Sequence, residues 1–286
     1  MIETPEVFKT PSGTRYLKEP GVVLTAKTIL TECAGLKEFL AGFEAGFEDY
    51  HDDLLNARDA GDATDGELNA QLAGQLCYMS FGAKRTPFEQ NADYIVKILE
   101  AQHGSVLEHS FLTHLIYGAD RAFTHELVRH RVGVGISQVS QRYVGPEILR
   151  FVMPHEDQRD SDLRLAFERH IDAVAEEYRQ RIEALKVVMP QLDGERTTDW
   201  RKRIQSSARS VLSNDVEAPI YWTANYRALT HVFTMRCSRH ADIRARRPML
   251  LVLEHAQDVA PNVFDHFKRY RLPDGTWEAV SKYSKP

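Results

Sequence analysis

The chain has 286 residues, 43% of them hydrophobic and 27% charged, a composition typical of a globular protein. Its formal net charge of −5 argues against a protein that coats nucleic acid non-specifically. The sequence contains no apolar run of about 18 residues and no basic-then-apolar leader, so we expect a cytoplasmic protein with no membrane association.

Turn residues and hydrophobic alternation predict short elements in the first half of the chain. The expected elements are strands over residues 21–26, 110–117 and 144–153 and a helix over residues 92–102. In the second of these strands the odd-numbered residues from Phe111 to Tyr117 share one side, as in a half-buried strand. Asp120 is placed to cap a further helix that runs to Arg131. The acidic, turn-rich segment 49–65 is interpreted as a solvated loop between helices.

The second half of the chain is predicted to be mainly helical. The longest helix is expected over residues 162–189, because a sustained apolar stripe recurs there at steps of three and four and Pro190 ends it. Such a one-sided stripe is typical of a helix that packs against other helices, in the same chain or a partner. Further helices are predicted over residues 198–212, 226–236 and 241–260. The elements together indicate a mixed α/β chain with few strands.

Arginine is concentrated in two short stretches, residues 129–142 and 236–247. A guanidinium group binds phosphate oxygens and planar carbonyls through forked donors, so these clusters in an acidic chain predict a bound small anion. The first cluster includes a predicted loop over residues 132–140, whose glycines and serines would leave backbone N–H groups free to complete a phosphate cradle. The alternative is a solvated helix face rich in arginine.

Three motifs, in this order, resemble those of the flavin-dependent thymidylate synthases. Residues 129–144 combine RHR, a loop and SQRYV, and resemble the family's defining pattern of RHR, seven residues and serine. Upstream, HGSVLEH at residues 103–109 is similar to the segment that begins the family's flavin site. Downstream, residues 224–242 resemble its Asn-x-Arg-Leu helix and following arginine. The resemblance covers roughly residues 73–267 and implies one α+β domain over residues 1–286, with a small antiparallel sheet and a helix-rich second half.

The resemblance also implies roles for individual residues. FAD would be contacted by Ser105, Arg129, His130, Arg131, Gln138, Asn225, Arg227 and His231. The nucleotide would be bound by Glu126, Leu127, Val128, Arg129, Gln138, Val139, Ser140, Gln141, Arg142, Arg209 and Arg236. Arg236 is the expected catalytic residue, because its counterpart in the family faces the pyrimidine ring and favours the N3-ionised form. A fixed cation there stabilises the charge that makes C5 nucleophilic.

The implied reaction is methylation of dUMP to dTMP, with 5,10-methylenetetrahydrofolate as carbon donor, NADPH as reductant and FADH2 as hydride carrier. The family also implies a homotetramer whose active sites are shared between chains, with no nucleic acid partner. No enzymic nucleophile is needed, so Cys237 is interpreted as a small buried residue and not as an attacking thiolate.

Neither a disulfide framework nor a metal site is expected. The three cysteines, Cys33, Cys77 and Cys237, are odd in number and too far apart for a Cys-x-x-Cys zinc site. His103, Glu108 and His109 lack metal-ligand spacing. We expect His103 to lie near the substrate cleft and Glu108 and His109 to orient their neighbours.

The chain departs from the family pattern in three places. Eight residues, not seven, separate RHR from Ser140, and two glycines allow a loop to absorb the extra residue. Glu126 stands where the family usually has glutamine. If the Glu126 carboxylate lies near a phosphate, it needs a neutralising arginine or a proton. Alternatively, it accepts a hydrogen bond from an exocyclic amine, which would favour a cytosine nucleotide over uracil. Arg244 replaces a usual glutamate, and Pro248 inside an expected helix predicts a kink or a late start.

Two other functions stay open. Glu126 motivates a sister flavoenzyme that modifies another pyrimidine nucleotide, such as dCMP, or that performs a hydroxymethylation. A non-catalytic nucleotide or RNA binder could use the same arginines, but it would have no reason to keep Ser105, Asn225 and His231. The N-terminal extension and the acidic segment around residues 36–68 are interpreted as additions to the family's domain.

Overall fold

The computed structural model describes residues 5–31, 34–82 and 90–283. The strands are β1 Val7–Lys9, β2 Arg15–Leu17, β3 Gly21–Lys27, β4 Phe111–Tyr117, β5 Val134–Gln138, β6 Arg150–Val152, β7 Ile220–Asn225, β8 Phe267–Arg271 and β9 Trp277–Ser281. The α-helices are α1 Ala34–Ala41, α2 Asp49–Ala60, α3 Asp65–Tyr78, α4 Asn91–Glu100, α5 Arg121–Leu127, α6 Ser161–Val188, α7 Thr197–Ala208, α8 Tyr226–Arg236, α9 Ile243–Val259 and α10 Pro261–Phe264. Short 3₁₀ helices cover Gly104–His109, Pro146–Ile148 and Arg209–Val211.

Four antiparallel strands form the central sheet, in the order β3-β4-β7-β5. Its inner face carries Leu112, His114 and Ile116 of β4 beside Trp222 and Ala224 of β7, all of them fully buried. Except for His114, these side chains belong to one apolar cluster with residues of α4, α5, α8 and α9. A small antiparallel sheet backed by helices, the two longest of them in the second half, confirms the predicted α+β fold class.

The outer face of the central sheet carries exposed apolar side chains in the described structure. Val23, Phe111, Leu115 and Tyr221 are 36–45% exposed on neighbouring strands. The predicted strand over residues 110–117 is confirmed, and its odd-numbered residues line this outer face while the even-numbered ones enter the core. The sheet is therefore covered on one side only by the residues described.

The long helix α6 packs against the smaller sheet of β1, β2 and β6 and against α7. Its Phe167 and Ile171 share an apolar cluster with Tyr16 of β2 and Phe151 of β6. The Asp160 carboxylate caps the helix by accepting from its first free backbone N–H groups at 2.9 Å. The predicted amphipathic helix is therefore confirmed as a packing element within this chain.

Residues 49–65 are mainly helical, so the predicted solvated loop is wrong. Helix α2 buries Tyr50 and Leu54, and the Tyr50 ring lies 5.0 Å from that of Phe81. Gly61 ends α2 with φ of 79°, a left-handed conformation that glycine adopts without steric cost. The sequence of α2 is mostly acidic and polar, and its two buried apolar residues, one helical turn apart, are too few to indicate a helical period.

Two further predictions need correction. Within residues 144–153 only β6 is a strand, because Pro146 starts a 3₁₀ helix before it. Helix α9 begins at Ile243 and contains Pro248, so the predicted late start is wrong. The predicted elements at residues 21–26, 92–102, 198–212, 226–236 and 241–260 are confirmed as β3, α4, α7, α8 and α9. None of the described helices combines the length and apolarity needed to cross a bilayer.

Candidate active site

The arginine-rich motif follows helix α5 and leads into strand β5 at the edge of the central sheet. The Asp120 carboxylate caps α5 by accepting from the Phe123 backbone N at 2.9 Å. The helix ends at Leu127, so the Arg129–Arg131 triplet follows the helix and does not end it as predicted. The predicted loop over residues 132–140 is wrong in part, because β5 within it pairs with β7.

Gly133 brings this motif against the start of α8. Its φ of 70° is left-handed, and a Cβ at this position would stand 2.5 Å from the side-chain amide of Asn225. The Asn225 backbone N donates to the Gly133 carbonyl at 2.9 Å. Asn225 Oδ1 also caps α8 by accepting from the Ala228 backbone N at 2.8 Å. Any residue larger than glycine would push apart two motifs that are distant in sequence.

The guanidinium of Arg236, at the end of α8, forms the centre of the candidate site. Its Nε donates to Nε2 of His130 at 3.1 Å, and its Nη1 donates to the Glu126 carboxylate. The His231 ring lies edge-on to His130 with centroids 5.4 Å apart, and Arg129 Nη1 lies 4.0 Å from Glu126. The Arg236 side chain is 17% exposed. The cation is thus held in place and still reaches the surface.

His130 is neutral in this arrangement. Burial, followed by the positive charge of Arg236 and the neighbouring His231, lowers the pKa of His130, against a smaller opposing effect of Glu126. Because Nε2 accepts from Arg236, the ring proton is assigned to Nδ1. The centre therefore offers a charged guanidinium and a neutral N–H donor side by side, which suits the carbonyl oxygens of a planar heterocycle.

A second group of predicted residues meets at the start of α8 and the 3₁₀ helix before β4. Ser105 and Arg227 line one pocket of about 360 Å³, together with His103. Arg227 Nη1 donates to the Glu108 carboxylate, which places Glu108 where it orients that arginine. The structure therefore brings together, on one side of the site, the motif at residues 103–109 and the motif at residues 224–242.

The segment after β5 is tied to two helices. Gln138 Nε2 donates to Thr124 Oγ1 of α5 at 2.9 Å. Arg142 Nε donates to Ser206 Oγ of α7 at 3.0 Å, and its backbone N donates to Ser140 Oγ at 3.3 Å. The segment from residue 138 to residue 142, here called the nucleotide loop, is thereby held between α5 and α7.

Four residues assigned to nucleotide binding direct their side chains elsewhere. Leu127 is 1% exposed in the core, and Val128 packs against the same cluster. Val139 and Gln141 line a separate cavity of about 260 Å³, next to Tyr178. Within this chain the side chains of Leu127 and Val128 are therefore occupied by packing, so that only their backbone can face a ligand.

Arg209 follows α7, and its charge acts on a second arginine that sequence reasoning missed. The guanidinium of Arg209 is exposed, and no acceptor among the described residues bonds to it. Burial, followed by the positive charge of Arg209, lowers the pKa of Arg121, the first residue of α5. An arginine at this position opposes the helix dipole. A positive residue at the start of a helix, directly after the capping Asp120, was the feature of the sequence that could have marked Arg121 as functional.

The second arginine stretch is mostly engaged in structural ion pairs. Arg239 pairs with Glu278, Arg244 with Asp120 and Asp215, and Arg247 with Glu19. Arg246, which is 4% exposed, donates to the Arg239 carbonyl. Only Arg236 of this stretch contacts the candidate site, so it is the one arginine of the stretch left for the small anion that the clusters predict. The departure at Arg244 is explained by its two buried or half-buried carboxylate partners.

Cys237 lies directly after Arg236 but faces the core. It is fully buried, and burial raises the pKa of its thiol. Cys77 is exposed, while Cys33 lies outside the described residues. Within residues 5–31, 34–82 and 90–283, no three or more histidine, cysteine or acidic side chains are grouped around a possible metal position. The described site therefore contains neither a thiolate at its centre nor a metal ligand set.

The chain is similar to known proteins in sequence and in fold. Residues 61–262 match the family described as thymidylate synthase complementing protein. The flavin-dependent thymidylate synthase of Mycobacterium leprae (strain TN) is 37% identical over 222 residues, covering 77% of this chain and 87% of that protein. The enzyme of the same description from Mycobacterium tuberculosis (strain ATCC 25177 / H37Ra) is 38% identical over 220 residues, again covering 77% and 87%.

A solved structure with a similar fold is that of a UMP/dUMP methylase, PolB, from Streptomyces cacaoi bound with 5-Br UMP. The TM-score is 0.55 and the sequence identity 17%, with 87% of this chain and 93% of that chain covered. At this identity the likeness concerns the fold.

Proposed function

Because the chain belongs to the flavin-dependent thymidylate synthase family, a family of enzymes of the methyltransferase type, we propose that it methylates dUMP to dTMP with FAD as hydride carrier. In this proposal 5,10-methylenetetrahydrofolate donates the carbon and NADPH reduces the flavin. The observation that carries the proposal is the contact of Arg236 with Glu126 and His130, where the sequence motifs meet. Membership of an enzyme family argues against the non-catalytic nucleotide or RNA binder.

The residues around the start of α8 suit a flavin dinucleotide. Arg129 and Arg131 are exposed guanidiniums that follow α5, and they suit a pyrophosphate through forked donors. Ser105 and Arg227 line the adjoining pocket of about 360 Å³. We assign FAD contacts to Ser105, Arg129, His130, Arg131, Gln138, Asn225, Arg227 and His231. When bound, FAD supplies the redox chemistry that protein side chains lack.

Arg236 is proposed as the catalytic residue. Its guanidinium is fixed by two partners on other elements, so it meets a substrate without reorganising. A cation held against the pyrimidine stabilises the ring with N3 ionised, in which C5 is electron-rich. The nearby thiol of Cys237 is buried away from this position, which supports a reaction without an enzymic nucleophile.

Nucleotide binding is assigned to Glu126–Arg129, the nucleotide loop, Arg209 and Arg236. The loop offers Ser140 and Arg142 beside α7, and Arg209 follows the same helix. Hydroxyl and guanidinium donors in this arrangement suit a phosphate monoester. For Leu127 and Val128 we propose backbone contacts, since their side chains pack into the core. The same holds for Val139 and Gln141, whose side chains line the separate cavity next to Tyr178.

We also propose a homotetramer with shared active sites. The outer face of the central sheet exposes Val23, Phe111, Leu115 and Tyr221, an apolar patch suited to a second copy of the chain. Within one chain, Gly133 and the nucleotide loop lie at opposite ends of β5, about 17 Å apart at the rise of a strand. FAD and dUMP must be in contact for hydride transfer, so residues from different copies of the chain would bind them at one site.

The N-terminal extension and residues 36–68 are proposed as additions to a single domain. Helices α1 and α2 pack with α3 around Leu40, Tyr50 and Leu68, in a cluster separate from that of the central sheet. The family match begins at residue 61, after α2. These observations support an accessory layer that leaves the site intact.

Because of Glu126, dCMP has to be tested as an alternative substrate. Its carboxylate is paired with Arg236, the neutralisation that a nucleotide phosphate nearby requires, and this pairing supports a uracil substrate. A carboxylate released from Arg236 would accept from the exocyclic amine of cytosine instead.

The proposed function is tested by product analysis. The FAD-loaded protein is incubated with methylenetetrahydrofolate and NADPH, and with dUMP or dCMP in parallel, and the nucleotides are analysed by mass spectrometry. We expect conversion of dUMP alone, to a product heavier by one methylene unit, and no product when the folate or the NADPH is omitted. Conversion of dCMP with dUMP untouched would establish the sister activity, and a lack of product with either nucleotide would contradict both.

A further inference from the structure

Ser206, in the last turn of α7, holds an arginine that belongs to the nucleotide loop. Its Oγ accepts from Arg142 Nε at 3.0 Å and donates its own hydroxyl proton to the Lys202 carbonyl at 2.7 Å. A serine hydroxyl has one proton, so its bond to the helix backbone leaves only oxygen lone pairs toward Arg142. The serine is therefore fixed as an acceptor, which is the role that a guanidinium N–H requires.

Helix α7 presents Ser206 from a rigid support. Ile204 and Ala208 of this helix are buried, and they pack into an apolar cluster with residues of α6. Ser206 lies two residues from each of them, about 200° around the helix, and therefore on the side away from this cluster. The acceptor for Arg142 thus stands on a helix whose position is set by core packing.

A neutral acceptor holds Arg142 without neutralising its charge. An arginine that serves the fold is held by carboxylates, as Arg244 is by Asp120 and Asp215. Ser206 instead accepts from Nε alone, and within the described part of the chain the two Nη groups of Arg142 bond to no acceptor. These groups carry four N–H donors on an exposed side chain. The guanidinium is oriented from one edge, and its other donors stay available to an anion.

The backbone of Arg142 is fixed as well as its side chain. Its N–H donates to Ser140 Oγ at 3.3 Å, and the loop begins at Gln138, whose side-chain amide donates to Thr124 of α5. A freely rotating arginine side chain loses rotamer entropy when it binds a ligand. Because Ser206 restricts that rotation before the ligand arrives, the entropy lost on binding is smaller.

We infer that Ser206 is a positioning residue of the nucleotide site, which acts by orienting the Arg142 guanidinium toward the substrate. The inference rests on the proposed function, in which Arg142 binds the nucleotide. Ser206 lies 64 residues after Arg142 and outside the three sequence motifs, so the contact exists only in the folded chain. Its effect on the substrate is transmitted through Arg142.

A double-mutant cycle tests the inference. Ser206→Ala is introduced into the wild type and into Arg142→Ala, and the Kd of dUMP is measured for the FAD-loaded proteins by isothermal titration calorimetry. In the wild-type background, loss of the Nε contact should raise the Kd roughly 3- to 10-fold. In the Arg142→Ala background no guanidinium is left to orient, so Ser206→Ala should change the Kd by less than about twofold. An equal loss in both backgrounds would assign Ser206 a structural role and overturn the inference.

An isosteric pair of variants separates the hydroxyl from the shape of the side chain. Ser206→Thr keeps the hydroxyl and should bind dUMP within about twofold of the wild type, whereas Ser206→Val, which has a methyl group in its place, should bind as weakly as Ser206→Ala. This pair carries the test if Ser206→Ala does not fold. The matched control is Ser207→Ala, which removes a neighbouring hydroxyl on another side of α7 and should leave the Kd unchanged.

Three further results would overturn the inference. They are an unchanged Kd in Ser206→Ala, a threonine variant that binds dUMP as weakly as the valine variant, and an Arg142→Ala protein that binds dUMP like the wild type. Wild-type protein that binds no dUMP would instead contradict the proposed function itself.

Discussion

The two arginine-rich stretches of this chain look alike in sequence and differ in the structure. In residues 129–142 the guanidiniums of Arg129, Arg131 and Arg142 are exposed, and the contacts of Arg129 and Arg142 are a carboxylate at 4.0 Å and a neutral serine. In residues 236–247 every arginine bonds to carboxylates or carbonyl oxygens of the chain itself, and only Arg236 does so within the candidate site.

The comparison separates two uses of arginine that composition cannot distinguish. A guanidinium paired with a buried carboxylate joins elements of the fold, and its charge is not available to a ligand. A guanidinium left exposed or without an acceptor keeps its donors for an anion. Arg236 combines both, since it is fixed by Glu126 and His130 and still reaches the surface.

The largest effect is expected for Arg236→Ala. Loss of a fixed cation at the pyrimidine should lower turnover by about 100- to 1,000-fold while FAD stays bound, because the assigned flavin contacts are on other residues. Turnover is measured by NADPH oxidation with dUMP, and bound flavin by absorbance. An Arg236→Ala protein that loses its flavin would show that the role assigned here is wrong.

The next largest effect is expected for Arg244→Met, and it concerns stability. The substitution leaves the Asp120 carboxylate, 2% exposed, without its cation, and should lower the free energy of unfolding by about 3 kcal/mol. Urea denaturation measures the loss, with Arg169→Met as the exposed control. Adding Asp120→Asn should restore part of the stability, since the uncompensated charge is removed. The affinity of folded Arg244→Met for dUMP should be unchanged. Weakened dUMP binding would contradict the conclusion that Arg244 serves the fold and not the ligand.

A smaller effect, on binding, is expected for Arg209→Ala. The Kd of dUMP should rise about 10-fold, because one charged donor to the nucleotide is removed while the fold keeps its ion pairs. The matched control is Arg201→Ala, an exposed arginine on α7. Titration calorimetry with both variants decides, and equal dUMP affinities in the two would count against the assignment of Arg209.

The smallest effect is expected for Cys237→Ala. The thiol is buried and serves packing, so turnover should stay within about twofold, with a loss of stability on the order of 1 kcal/mol. Steady-state rates and thermal unfolding measure the two quantities. A collapse of turnover in a folded, flavin-loaded Cys237→Ala protein would restore the thiol as a nucleophile.

The fold could be predicted where the periodic signal is long. Helix α6 has a stripe of apolar residues over eight turns, and β4 alternates over its whole length. The signal failed in α2, where only Tyr50 and Leu54 are buried among charged residues. It also failed in β5, because a glycine at position 135 and polar residues at its end resemble a loop, and only pairing with β7 defines the strand.

The site could be predicted in its parts but not in its connections. The motifs placed Glu126 and His130 in one segment and Arg236 in another, and their contact depends on the end of α5 meeting the end of α8. Whether an arginine is free to bind a ligand depends on carboxylate partners from distant segments of the chain. The spacing of residues along the sequence does not reveal those partners. Arg121 was missed for the same reason.

The central claim is that the site around Arg236 holds a flavin against a nucleotide, and an absorbance titration tests it most directly. The protein, purified as isolated or after reconstitution with FAD, is recorded between 300 and 550 nm before and after addition of dUMP, a range that covers roughly the flavin bands. The account predicts a bound flavin spectrum that dUMP perturbs, and faster NADPH oxidation when dUMP is present. A protein that cannot be loaded with FAD, or whose flavin spectrum is insensitive to saturating dUMP, would contradict it.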